Sequence, residues 1–318
     1  MHQVVAEVWR NGLAESVHHG SVVALDRDGS VALRVGQPDV LTFPRSSAKP
    51  LQGLAMVRSG LGLDGELLAL ACASHPGEEF HISGVRRILA DAGLTVDDLQ
   101  CPPDLPTHEA SLRALLVAGT TPAPLYMNCS GKHAAMLATC VLNDWPTATY
   151  RDPDHPLQRA IRDTVEELAG ERVGATAVDG CGAPLFGISL TGLARSFRAL
   201  ATAPAGSAEH RVRTAMGTYP EWVAGTGSDV TALMRAVPGS VAKNGAEGVH
   251  AIGLSDGRAV ALKIADGSAR ARSVVMVAAL DRLGVTGDGL RELGEVPVLG
   301  HGSPVGAIRP AAILTGRN

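Results

Sequence analysis

The 318-residue chain suffices for one large domain or two modest ones, and 45% apolar against 19% charged residues gives ample material for a buried core. A formal charge of -4 without any Lys/Arg block excludes an electrostatic nucleic-acid or anionic-membrane surface, and 3% aromatic residues excludes base-stacking platforms. No apolar run reaches the length of a membrane span, Met1–Val8 lacks the basic and apolar regions of a signal peptide, and five cysteines follow no disulfide framework, so the expected location is a reducing cytoplasm.

Alternation over residues 3–10 predicts a strand, and two apolar runs around Asp26-Arg27-Asp28-Gly29 predict a hairpin over 21–35. The polar stretch between them, with Glu15, Ser16, His18 and His19, reads as a solvated connection. Helices are expected at 51–61, 65–73, 79–93, 108–118, 134–142, 155–169, 186–200, 208–217 and 268–283, with Gly170 ending the sixth. Residues 74–78 form a turn, the proline-rich 101–106 a loop, and 177–184 an interruption. Strand-like runs return at 239–242, 249–254 and 258–264, the last two separated by Ser255-Asp256-Gly257. Strands at both ends around a helical middle predict an α/β fold (α+β type) with an antiparallel sheet of N- and C-terminal strands packed with helices. No composition break divides the chain, so residues 1–318 read as one domain with a short tail from about 311.

Four constellations carry chemistry. Ser46 and Lys49, three apart in Ser46-Ser47-Ala48-Lys49, share one face of a helical turn, where a neutral lysine could take the serine proton. The same spacing also suits an N-cap serine and a solvated lysine. Ser74 and His75 stand in the turn after an apolar helix. Cys129-Ser130-Gly131-Lys132-His133 and Asp179-Gly180-Cys181 place two cysteines among glycine and polar residues, unlike Cys72 and Cys140 in apolar runs. Two thiolates, His133 and Asp179 form a zinc donor set by residue type, with inert buried thiols as the alternative.

The sequence resembles the asparaginase II family of the Rhizobium etli inducible type (class 3), which is distinct from the Escherichia coli and plant types. The matching pieces run in order: Val8-Trp9-Arg10 through His18, Phe43-Pro44-Arg45-Ser46-Ser47-Ala48-Lys49-Pro50-Leu51-Gln52, Ala73-Ser74-His75-Pro76-Gly77-Glu78, and Asn128 to His133. They continue with Asp179-Gly180-Cys181-Gly182-Ala183-Pro184, Ala242-Lys243-Asn244-Gly245-Ala246-Glu247-Gly248 and Leu262-Lys263-Ile264-Ala265-Asp266-Gly267. The resemblance implies a serine β-lactamase/glutaminase-like fold, a homodimer, and hydrolysis of L-asparagine to L-aspartate and ammonia. It implies one Ser-Lys tandem on Ser46 and Lys49, a second on Ser74 and Lys263, and Zn2+ held by Cys129, Lys132 and Cys181 with Asp179 beside them. Residue chemistry alone nominates His133 over Lys132, because a lysine ligand must first lose its proton. Ser46 is the favoured nucleophile with Ser74 relaying protons. Arg45 is the candidate for the substrate α-carboxylate, with His133 and Asp179 also placed at the substrate. The alternatives are an acyl-serine hydrolase of the penicillin-recognising type and a non-catalytic zinc-stabilised binding protein.

Overall fold

A computed structural model describes residues 1–316; of the expected C-terminal tail, residues 317–318 lie outside the described part. The chain opens with β1 (Gln3–Arg10), turns at Asn11-Gly12, and continues in the 13-residue β2 (Leu13–Leu25) and β3 (Val31–Val35). The stretch expected to be a solvated connection is therefore the exposed first half of β2. Its side chains are polar because that half pairs only with β1, while the second half is buried between β3 and a later strand.

Helices α1 (Lys49–Arg58), α2 (Gly65–Ala71), α3 (Glu79–Asp91), α4 (Glu109–Val117), α5 (Ser130–Leu142) and α6 (Pro156–Ala169) follow. Pro50 sits in the first turn of α1, where its missing N–H costs nothing, and Gly170 closes α6 in the left-handed conformation. The expected interruption at 177–184 is the turn of a small hairpin, β4 (Ala175–Val178) and β5 (Pro184–Gly187). Next come α7 (Leu190–Thr202), α8 (Ala208–Thr218), α9 (Pro220–Ala224) and α10 (Asp229–Ala236), with Ser189, Ser207 and Ser228 capping α7, α8 and α10. Strands β6 (Val241–Asn244), β7 (Val249–Gly253) and β8 (Ala259–Ile264) then precede α11 (Arg272–Arg282), α12 (Asp288–Gly294), β9 (Val296–Gly300), β10 (Ser303–Pro310) and α13 (Ala312–Thr315).

The main sheet runs β6-β7-β8-β2-β1-β10-β9, with β3 also on β2, and every pairing is antiparallel. The expected α/β architecture, a sheet of N- and C-terminal strands packed with helices, is what the chain adopts. Directly opposed residues share a face, so Lys243, Ala251 and Ala261 form one row and Lys263 stands one row further along on the same side. Helix α7 covers that face so closely that a Cβ on Gly253 would meet the Phe197 carbonyl.

Candidate active site

Residues Arg45–Ala48 form a 3-10 turn that runs straight into α1. Ser47 ties the turn down through its hydroxyl, which donates to the Pro44 carbonyl at 2.6 Å. Arg45 adopts φ 53°, a left-handed conformation that a non-glycine residue holds only at a cost of about 1–3 kcal/mol. Lys49 is fully buried, and its Nζ donates to the Ala73 carbonyl at 2.5 Å and to Ser74 Oγ at 2.9 Å. The lysine expected to serve Ser46 is thus hydrogen-bonded to the second predicted serine, which the α2–α3 turn presents, and not to Ser46.

The sulfur half of the site is delivered by α5 and the β4–β5 turn. Lys132 Nζ lies 3.0 Å from Cys181 Sγ, and the Cys129 thiol, immediately before α5, donates to Asn128 Oδ1 at 3.0 Å and, with Cys181 ionised, can turn to that neighbouring sulfur instead. Cys129, Lys132 and Cys181 are all buried. The Cys129 hydrogen bond, followed by the charge of Lys132, holds Cys181 far below the usual thiol range despite its burial, whereas Cys129 is pushed well up. Burial pulls Lys132 down, but the Cys181 and Cys129 charges outweigh it and leave the amine raised. Without a metal, Cys181 is therefore a thiolate clamped by an ammonium. Two sulfurs and an amine in mutual contact suit a soft divalent cation, and Lys132 would surrender its proton on binding. The fit depends on that lysine, because among the described residues no group of three or more His, Cys, Asp or Glu side chains converges.

His133 stands behind this cluster. Its Nδ1 lies 2.6 Å from Tyr150 Oη, and that oxygen already accepts from the Gln100 N–H at 3.3 Å. When the tyrosine donates to Nδ1, Nε2 carries the ring proton and is buried near Cys181 without a hydrogen-bond partner among the described residues. In this tautomer Nε2 has no lone pair for a metal. Burial, then the Lys132 charge, lowers its pKa to about 4.

The second tandem departs from expectation. Lys263 does not reach Ser74: its Nζ donates to the Glu247 carbonyl at 2.6 Å and, more weakly, to the Ile264 carbonyl at 3.5 Å. The physical reason is register, since Lys263 stands near the end of β8 opposite Val249 and Ser21, one row along from the Lys243–Ala251–Ala261 row. Lys243 occupies the interior position. It is fully buried, donates to the Asn244 carbonyl and Oδ1 at 2.8 and 3.0 Å, and has its pKa driven well down by burial and then by the charge of Lys49. The sequence carried the signal, because Val241 and Lys243 alternate in an otherwise apolar strand, yet a lysine beside Asn244-Gly245 reads as a strand end.

Arg45 Nε donates to Asp179 Oδ1 at 2.8 Å, joining the turn before Ser46 to the turn carrying Cys181. His75, which received no role from the sequence, joins the two halves elsewhere. Its Nε2 contacts Ser130 Oγ at 2.9 Å, and since that hydroxyl donates to the Leu125 carbonyl, Nε2 is the donor. Its backbone N–H meanwhile donates to the Asn128 carbonyl at 3.1 Å, so the Ser74 turn is pinned to the Cys129 turn.

The family profile of L-asparaginase II matches residues 6–310. No curated protein matches the sequence. Among solved structures, Mglu in its native form is 14% identical with a TM-score of 0.45, covering 82% of this chain and 63% of its own, so this chain spans under two thirds of Mglu. A candidate beta-lactamase from Bacteroides dorei DSM 17855 is 12% identical at TM-score 0.42, covering 77% of this chain and 84% of its own. EstCE1, a hydrolase with promiscuous acyltransferase activity, is 13% identical at TM-score 0.42, covering 83% and 93% respectively.

Proposed function

This chain belongs to the L-asparaginase II family of amidohydrolases, and on that premise we propose that it hydrolyses L-asparagine to L-aspartate and ammonia by a Ser-Lys mechanism beside a zinc site, as in the Rhizobium etli inducible class. The observation that carries the mechanism is the contact of buried Lys49 with Ser74 Oγ at 2.9 Å. A neutral amine has two N–H groups and one lone pair. To act as base Lys49 must first give up one proton; the Ala73 carbonyl and Ser74 Oγ then use its two remaining N–H groups, and the lone pair is free for the Ser46 proton. Ser46 Oγ attacks the side-chain carbonyl carbon as its proton passes to Lys49. The C–N bond breaks as the amide nitrogen leaves as ammonia, receiving its proton by way of Ser74. Water then cleaves the acyl-serine ester and restores the serine.

Lys243 takes the place expected of Lys263. Burial and the neighbouring Lys49 charge favour its neutral form, so it can accept a proton within the cluster. Cys129, Lys132 and Cys181 would hold Zn2+, which when bound supplies positive charge that polarises the site. Arg45, fixed by Asp179, stands where a guanidinium could meet the substrate, and His133 supports Cys181. Cytoplasmic residence and a homodimer complete the reading. Among the described residues, no helix is long and apolar enough to cross a membrane.

Ammonia release from L-asparagine tests the function directly. The expected result is release by the wild type and a loss of at least about 10³-fold in kcat for Ser46→Ala. No release by the wild type sinks the reading, and release that survives both Ser46→Ala and Ser74→Ala removes the serine mechanism. Zinc retained at one equivalent in both Cys129→Ala and Cys181→Ala would refute the metal site.

A further inference from the structure

A cavity of about 490 Å³ opens beside the 3-10 turn that carries Ser46. Its apolar wall includes Leu41, Phe43 and Val178, and its charged lining is Arg45, Glu247 and Lys263. Two independent features mark these three residues as a built arrangement. Arg45 and Glu247 are both non-glycine residues in the left-handed region, at φ 53° and 59°, and their side chains approach to 3.8 Å across the cavity. Such strain persists only where the surrounding structure over-determines it. The strained Glu247 carbonyl is also the atom that accepts from Lys263 Nζ at 2.6 Å, so the same backbone kink positions the lysine.

The charges are distributed unevenly. Asp179 already engages Arg45 at 2.8 Å, while among the described residues Lys263 has carbonyl partners but no carboxylate within ion-pair distance. The Glu247 carboxylate, 61% exposed, has only the long Arg45 contact. One ammonium and one carboxylate thus stand side by side on the lining, close enough to attract each other but, among the described residues, not joined in an ion pair.

We propose that this cavity is a recognition subsite for the zwitterionic end of an α-amino acid, with Lys263 receiving the α-carboxylate and Glu247 the α-ammonium. The proposal rests on the asparaginase reading for the reaction at Ser46, and it moves Lys263 from proton transfer to substrate binding. It predicts that the enzyme selects amides bearing a free α-amino group over the same acid amide without one.

Comparing L-asparagine with succinamate, which lacks the α-ammonium, tests this. Glu247→Gln should reduce the kcat/KM preference for L-asparagine over succinamate about tenfold. Lys263→Gln should lower kcat/KM for both substrates by a similar factor, through KM rather than kcat. The proposal is overturned if Glu247→Gln leaves the preference unchanged, or if Lys263→Gln abolishes kcat at constant KM, which would return the lysine to the chemistry. Should the wild type release no ammonia at all, the asparaginase reading fails, and calorimetric binding decides the subsite separately. Tighter binding of L-aspartate than succinate, lost in Glu247→Gln, supports it, whereas equal binding of the two acids overturns it.

Discussion

Lys49, Lys132 and Lys243 are each no more than 1% exposed, and an unpaired ammonium at that depth carries a desolvation penalty of several kcal/mol. The three resolve it differently: Lys132 pairs with the Cys181 sulfur, Lys49 bonds a carbonyl and a hydroxyl, and Lys243 has its pKa driven well down by burial. A depressed lysine binds fewer protons folded than unfolded, so its stability cost is absent above the unfolded pKa. The cost grows as pH falls below that value, and levels off below the folded one. At neutral pH Lys243→Met should therefore raise the Tm while cutting kcat/KM at least about 10²-fold, with the Tm advantage shrinking as pH rises toward 10. Thermal melts across that range check it, and a lower Tm for the variant at neutral pH would show that Lys243 is held as a paired ammonium. At this scale three contacts join residues that the sequence had singled out, Lys49 with Ser74, Lys132 with Cys181 and Arg45 with Asp179. The different surroundings of Lys243 and Lys263 were not legible, because both alternate correctly on their strands and only the sheet register separates their rows.

Among the elements, the site depends on one close approach. A Cβ added at Gly245 would lie 2.6 Å from the Pro44 carbonyl and 3.1 Å from the Ser47 nitrogen, so the chain after β6 passes directly against the turn that carries Ser46. Backbone on the receiving side cannot rotate away, so Gly245→Ala must push β6 and the turn apart. We expect a loss of about 1–3 kcal/mol in urea denaturation, typical of overpacking. Activity should fall about 10²-fold through kcat, since an ångström of misplacement suffices for that. Activity within twofold of wild type would mean that the Lys243–Lys49 spacing is not critical. The elements that the sequence missed share a cause. The β4–β5 hairpin is four residues a side, β9, α9 and α12 are short and only partly buried, and the eight-residue β10 buries only Ile308 fully, so none shows a full period of buried apolar residues. The long helices showed theirs, with boundaries displaced by a few residues, as at Ser189, which caps α7, and at the start of α5, which has no capping side chain.

On the scale of the whole molecule, the sheet order places β10 between β1 and β9, so the C-terminal strands complete a layer begun by the first ten residues. The core residues form one connected cluster that includes Val5, Val8, Ile308 and Leu314 together with the helical residues around Lys49 and Cys129. A chain assembled in this way should behave as a single domain, although the two strands that close it are among the last made. Removing residues 295–318 would strip at least Val298, Ile308 and Leu314 from the core. At about 1.5–3 kcal/mol each, their loss amounts to about 5–9 kcal/mol, comparable with the whole net stability of a typical domain. It would also leave the backbone of β1 unpaired along a buried edge. We therefore expect the 1–294 fragment to lack a cooperative thermal transition and to release no ammonia from L-asparagine, even though every proposed catalytic and metal-binding residue is retained. Circular dichroism melts of the fragment beside the full chain make the measurement. A cooperative transition in the fragment would show that the helical region and the β6–β8 strands form an independent folding unit, with the terminal strands as an appendage.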